Sequence, residues 1–190
     1  GSFPPHHVPA YDRARLYELP AQLVNPGSDN VIALRVRSFY RYESGPNQGL
    51  FAIGSYTRIH ARLHARELLD LAFIMIYVTV ALYFAAVFFR NTADREYLFF
   101  ALFCLTTAAY LFMWTQTKYL VSDDFHLLKR IEYSLIIITM PLMLLYITSF
   151  FKRSHSILHW IVYSASALSL LTVLFTGNIR LWNSIFHLIT

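Results

Sequence analysis

Four long runs without a charged side chain dominate the chain after residue 70. They cover residues 71–89, 97–117, 133–151 and 155–176, and charged residues lie before and after each run. A helix needs about 20 apolar residues to cross a hydrocarbon core that is about 30 Å thick. Because the backbone inside lipid must satisfy its own hydrogen bonds, each run is predicted to be a membrane-spanning helix.

Aromatic residues lie close to the ends of these runs, where tyrosine and tryptophan favour the headgroup interface. They are Tyr97, Trp114, Tyr119 and Trp160. Pro141 stands in the middle of the third run and predicts a kink there, because proline removes a helical hydrogen bond.

The last segment, residues 178–190, has a different apolar pattern from the four runs. Its apolar side chains recur at helical spacing, at Trp182, Ile185, Phe186 and Ile189. The pattern predicts either an amphipathic helix at the membrane interface or the beginning of a fifth span, and both remain open.

Residues 1–10 are predicted to be irregular, and residues 11–57 read as strands and turns. In residues 31–38, Ile32, Leu34 and Val36 alternate with other positions, which is typical of a strand with one wet face. A short strand is predicted at 15–20 and a further strand at 50–59, with turn chemistry at residues 25–27. Since a jelly roll needs about eight strands, this segment is predicted to be the C-terminal part of a β-sandwich or jelly-roll domain.

The predicted fold class is therefore a membrane protein, with a partial β jelly roll followed by an all-α transmembrane helix bundle. A helical linker at residues 58–70 is expected to join the β-domain to the transmembrane region at 71–190. The first methionine is Met75, and Gly1-Ser2 is typical of residues left by cloning, so we expect the chain to be a piece of a longer protein.

Composition and charge support a membrane protein. The 190 residues are 56% hydrophobic and 14% charged, whereas soluble domains are about 45–50% apolar and about 25% charged. The net charge of +5 does not indicate nucleic-acid binding, because the basic residues flank apolar runs and form no continuous face. The single cysteine, Cys104, lies in an apolar run and is interpreted as a packing residue.

Two stretches resemble a known family. Residues 15–20, 23, 26–27 and 30–36 resemble the late strands of galactose-binding-like jelly rolls. Residues 95–103, 118–120, 123–125 and 129–133 are similar, in order and spacing, to the first half of the membrane region of bacterial seven-transmembrane receptors with diverse intracellular signalling modules. The resemblance covers roughly residues 11 to 190.

The resemblance implies a receptor in the bacterial inner membrane, with an extracytoplasmic jelly roll that binds a small molecule such as a carbohydrate. Seven helices would then relay the signal to a cytoplasmic output domain, for example a kinase, a cyclic-nucleotide enzyme or a phosphatase. No output domain is expected in this chain, which is therefore not predicted to be an enzyme. The lipid bilayer is the expected partner, nucleic acid is not, and a homodimer stays open.

The distribution of basic residues points to the opposite orientation. With four spans, seven Lys or Arg flank the side that carries the N-terminus, and four flank the other side. The positive-inside rule therefore favours a cytoplasmic N-terminus, but folded domains before the first span often override it. We follow the resemblance and predict an extracytoplasmic N-terminal domain.

Candidate functional residues form two groups. A charged cluster around the second connection is predicted to form ion pairs or relay a signal, since charges near a membrane tend to pair. It consists of Asp123, Asp124, Lys129, Arg130 and Glu132, with Arg130 and Glu132 as the pair to test. Arg35 and Arg37, on the solvent-exposed face of a predicted strand, are candidate residues for binding an anionic or sugar ligand.

No cofactor, catalytic group or metal site is predicted. His60 and His64 stand four residues apart, which is the spacing of two metal ligands on a helix, but no third ligand is evident. The adjacent His6 and His7 are interpreted as loop residues.

Two other functional classes are alternatives to a receptor. A transporter or membrane-embedded enzyme would need ionisable groups at mid-bilayer, and the span centres carry only Thr, Ser, Tyr and Pro141 as polar or irregular residues. A structural subunit of a membrane complex is supported only by the aromatic-rich spans.

Overall fold

The computed structural model describes residues 12–34, 52–154, 156–178, 181–182 and 184. Regular structure in these residues is helical. Four α-helices follow in chain order, α1 at Tyr56–Arg90, α2 at Arg95–Phe112, α3 at Phe125–Phe150 and α4 at Ile157–Phe175. Short 3-10 turns occupy Ala21–Leu23 and Gln116–Leu120. The chain separates into two compact units, residues 1–65 and 66–190.

The first unit shows the predicted turn but no strand in its described part. Gly27 has a φ of +82°, which a residue with a Cβ rarely adopts. The Asn30 side chain closes the turn, since its amide nitrogen donates to the Asn25 carbonyl at 3.0 Å and its oxygen accepts from the Asn25 N–H at 2.9 Å. Residues 15–20 and 31–34 are irregular and mostly exposed, because no neighbouring strand in the described part offers them a hydrogen-bonding ladder.

The jelly roll is therefore not visible in the described residues. Most of the strand predicted at 31–38, including Arg35 and Arg37, lies outside them. The strand predicted at 50–59 is wrong over its last four residues, where α1 begins at Tyr56. Ring contacts at helical spacing, between Tyr56 and His60 and between His60 and His64, accompany the helix there.

The four helices are confirmed as long and apolar enough to cross a membrane. The shortest, α2, has 18 residues, which at 1.5 Å per residue spans about 27 Å. Many large apolar side chains on the helices are exposed in the isolated chain, as expected for surfaces that meet lipid or further helices. No charged residue lies within 71–89, 97–112, 133–150 or 157–175.

Helix α3 packs against both α2 and α4. The contact surface of α2 is a stripe of small buried side chains, Ala101, Cys104 and Ala108, and small residues allow helices to approach closely in membranes. The Phe100 and Tyr146 rings lie 4.8 Å apart, next to the α1 contact of Phe84 with Phe100 at 4.7 Å.

The helix boundaries differ from the uncharged runs at the second connection. Helix α2 ends at Phe112, five residues before its run ends, and α3 begins at Phe125, eight residues before its run begins. Hydrogen bonds from Gln116 and Thr117 to Glu67 place this connection at the same end of the bundle as residues 66–70 of α1. Helix α3 continues through Pro141 to Phe150. At the C-terminal end, residues 181, 182 and 184 are helical, while Ile185, Phe186 and Ile189 of the predicted stripe lie outside the described residues.

Candidate functional site

A carboxylate on α1 holds the connection between α2 and α3. Glu67 accepts hydrogen bonds from the Thr117 N–H at 2.8 Å, the Thr117 hydroxyl at 2.7 Å and the Gln116 N–H at 3.1 Å. These backbone groups open a 3-10 turn, where the first N–H groups have no partner within the turn. We call Glu67, Gln116 and Thr117 the Glu67 clamp. It joins the helix that enters the first span to the connection between the second and third spans.

Lys118 follows the clamp and is almost fully buried, at 3% exposure. Its Nζ donates to the Met113 carbonyl at 2.7 Å and lies 5.2 Å from the centre of the Tyr119 ring. Met113 is the C-cap of α2, where carbonyls lack helical partners and the helix dipole favours a cation. The lysine therefore compensates the negative end of α2 in a place where an uncompensated charge would be costly.

Asp124 begins α3 as its N-cap. Its carboxylate accepts from the His126 N–H at 2.9 Å and the Leu127 N–H at 3.2 Å. An aspartate at this position satisfies N–H groups that have no helical partner and complements the positive end of the helix dipole. Asp123, one position earlier, is exposed.

An ion pair lies one turn further along α3. Lys129 Nζ and Glu132 Oε2 are 2.9 Å apart, with the two side chains 8% and 13% exposed. The Lys129 ammonium also lies 6.0 Å from the centre of the Phe125 ring. A nearly buried pair with this spacing fixes both charges against the end of the bundle, because separating them would leave either charge poorly solvated.

Lys129 and Glu132 contact each other, whereas the side chain of Arg130 contacts Trp182. Its guanidinium carbon lies 5.8 Å from the centre of the Trp182 ring, and its Nε makes no hydrogen bond to a described residue. Trp182 is 1% exposed, and its indole N–H donates to the Thr176 hydroxyl at 3.0 Å. The Tyr133 ring lies 6.1 Å from the Trp182 ring. The segment after α4 is thus attached to the beginning of α3.

The structure places the five predicted cluster residues together at the beginning of α3, and four of them have three separate roles. Asp124 caps the helix, Lys129 pairs with Glu132, and Arg130 stacks on Trp182 instead of pairing with Glu132. Helical geometry explains the last point, since positions 130 and 132 are two residues apart and do not share a face. Arg35 and Arg37 lie outside the described residues, so their role stays a prediction.

Glu67, Thr117 and Lys118 are the residues that sequence reasoning did not select as functional. Glu67 looks like an ordinary charged residue before an apolar run, and its partner Thr117 lies 50 positions along the chain. One signal was available, because Glu67 lies only four residues before the first uncharged run and so near the predicted membrane boundary. The identity of its partner depends on how α1 and α2 pack.

The match to known proteins covers this same part of the molecule. A family model described as 7TM diverse intracellular signalling matches residues 66–190. No curated protein and no solved structure matches the chain. The matched residues contain Glu67, most of α1, all of α2, α3 and α4, and the connection that the clamp holds. This chain therefore belongs to the 7TM diverse intracellular signalling family.

Proposed function

We propose that the chain is the sensory and membrane part of a bacterial signal-transduction receptor. A ligand bound by an extracytoplasmic N-terminal domain would change the arrangement of the helices and so the activity of a cytoplasmic output domain. Membership of the signalling family supports a receptor role. The four described spans support it as well, because their charged groups lie at helix ends and not at the mid-bilayer depth that transport substrates require.

The Glu67 clamp is the observation that best supports the relay of a movement from α1 to the other helices. Glu67 lies on the helix that leads into the first span, and its three hydrogen bonds end on the connection between the next two spans. Hydrogen bonds to a charged group are each worth about 1.5–3 kcal/mol. A displacement of α1 would therefore either move the connection with it or break the clamp, which gives the two arrangements that a ligand can favour differently.

Beyond the clamp, the connection continues into groups that fix the ends of two other helices. Lys118 is bound to the end of α2 and Asp124 caps the beginning of α3. The Arg130–Trp182 contact then reaches the segment after α4. A change at Glu67 would therefore act first on the connection, whose own residues fix the end of α2 and the beginning of α3.

Topology is the first test of the proposal. In a Cys104→Ala background, single cysteines replace Ser44 or Ser154, and intact cells are treated with a membrane-impermeant thiol reagent. We expect labelling at 44 and not at 154. Three spans separate these positions, so they lie on opposite sides of the membrane, and the third connection is expected inside the cell. Labelling at 154 alone would place the N-terminal domain in the cytoplasm and overturn the extracytoplasmic sensor.

The relay is tested in the full-length protein by its output activity. Thr117→Val removes the hydroxyl that donates to Glu67 and keeps the side-chain volume, whereas Thr117→Ser keeps the hydroxyl. We expect the valine variant to change the basal output and the serine variant to resemble the parent. If both variants retain the parental output at equal expression, the clamp is not part of the relay.

A further inference from the structure

Two histidine rings lie together on the exposed first turns of α1. His60 Nε2 and His64 Nε2 are 3.2 Å apart, and the ring centres are 4.3 Å apart. Both residues are exposed. The Tyr56 ring stacks on His60 from the preceding turn, with 5.4 Å between the centres and 23° between the planes. The Nε2 atoms of the two imidazoles therefore face each other.

The distance between these nitrogens fits a shared metal ion. Imidazole nitrogens bind zinc at about 2.0–2.1 Å, so two such ligands are about 2.9 Å apart at a right angle and about 3.4 Å apart at a tetrahedral angle. The observed 3.2 Å lies between these values. In the metal-free chain one Nε2–H donates to the other Nε2, and a cation would replace that bridging proton.

The surroundings of the pair leave the cation accessible to solvent. Arg58 and Arg62 are each two residues from His60, so at about 100° per residue they project from the opposite side of the helix. Because both histidines are exposed, water can supply the remaining ligands. Among the described residues no cluster of three metal-binding side chains occurs, so the site would be a two-histidine site completed by solvent.

We propose that His60 and His64 form a binding site for a first-row divalent transition-metal cation. The nitrogen ligands favour Cu²⁺, then Ni²⁺, over the oxygen-preferring Mg²⁺ and Ca²⁺. Because the two ligands come from successive turns of one helix, the bound ion cross-links those turns and stabilises the helix around residues 60–64. This site lies outside the Glu67 clamp and does not depend on the receptor proposal.

The test uses the chain purified in detergent without an added histidine tag, titrated with Cu²⁺, Ni²⁺ and Mg²⁺ in separate calorimetric experiments. We expect Cu²⁺ and Ni²⁺ to bind and Mg²⁺ not to bind. The matched variant combines His64→Ala with Ala65→His, which keeps the number of histidines but moves one ligand off the shared face. It should lose the Cu²⁺ isotherm at concentrations that saturate the parent.

A second pair of histidines supplies the competing explanation. His6 and His7 are adjacent in the sequence, so a His6→Ala/His7→Ala variant is titrated alongside. Retention of Cu²⁺ binding there, with loss in the shifted-spacing variant, supports the site on α1. Binding that disappears with His6 and His7, or that survives the shift from 64 to 65, overturns the proposal. Amide hydrogen exchange adds a readout, since Cu²⁺ should slow exchange at residues 60–64 in the parent and in the His6→Ala/His7→Ala variant, but not in the shifted-spacing variant.

Discussion

Glu67 and Thr117 lie 50 residues apart in the chain, yet one oxygen of the Glu67 carboxylate accepts both the backbone N–H and the hydroxyl of Thr117. A side chain that binds backbone N–H groups fixes the path of the chain as well as the position of one residue. Serine could replace the threonine hydroxyl, but an aliphatic residue could not. The contact therefore links α1 to the second connection by groups that have few substitutes.

Glu67→Gln should destabilise the folded chain. The amide is neutral and has one acceptor oxygen in place of two, so the variant loses charge-assisted hydrogen bonds to Gln116 and Thr117. We expect a loss of about 1–3 kcal/mol in the free energy of unfolding, measured by denaturant titration in detergent. Asp70→Asn is the matched control one turn along α1. An equal loss in both variants would show that the charge alone, and not the clamp, matters.

The Lys129–Glu132 pair predicts a specific pattern of charge reversal. Lys129→Met leaves the nearly buried Glu132 without its ammonium partner, and breaking a buried pair costs up to about 3–5 kcal/mol. The double reversal, Lys129→Glu with Glu132→Lys, should recover part of the stability that each of these single reversals loses, as a double-mutant cycle would measure. Reversal at Arg130 and Glu132 should give no recovery. Recovery in that second combination would instead assign Glu132 to Arg130.

The cap of α3 can be tested by two substitutions at one position. Asp124→Ala removes the acceptor for the His126 and Leu127 N–H groups and should cost about 0.5–2 kcal/mol. Asparagine is as good an N-cap as aspartate, so Asp124→Asn should stay close to the parent in thermal unfolding. If the two variants are equally stable, the carboxylate does not act through capping.

The burial of Trp182 predicts a difference in lipid accessibility. Trp182 is 1% exposed, whereas Trp160 is 66% exposed and lies near the beginning of α4. In vesicles that contain brominated phospholipid, a chain with Trp160 alone should therefore lose more fluorescence than one with Trp182 alone. Tryptophan-to-phenylalanine substitutions at the other two positions provide these chains. Equal quenching would mean that Trp182 faces lipid and does not pack on Tyr133.

Uncharged length was enough to predict the four spans, because the cost of burying unpaired backbone in lipid leaves little choice but a helix. The ends of the helices were harder to predict. The third helix continues toward its N-terminus through Lys129 and Glu132, and a hydropathy pattern stops at such residues. Only the neighbouring packing shows that these charges pair and stay in the helix.

The sequence predicted that the charged residues form a cluster but did not identify their individual partners. Lys129 and Glu132 lie within one helical turn, yet the pair selected from the sequence was Arg130 with Glu132, and the role of Asp124 as an N-cap was not predicted. The clamp depends on two segments that meet only after two helices have packed, and nothing near Glu67 in the sequence marks Thr117 as its partner. Arg130 shows the same limit, since its partner Trp182 follows α4.

The separation of Glu67 from Thr117 has a consequence for how the protein is made. Chains emerge from the ribosome N-terminal end first, at about 5–20 residues per second. Glu67 is therefore synthesised seconds before Thr117. During that interval its carboxylate must remain in water, and the clamp can close only when α1 and α2 have entered the bilayer as a hairpin. The clamp can therefore form only after both helices have been inserted, with opposite polarity.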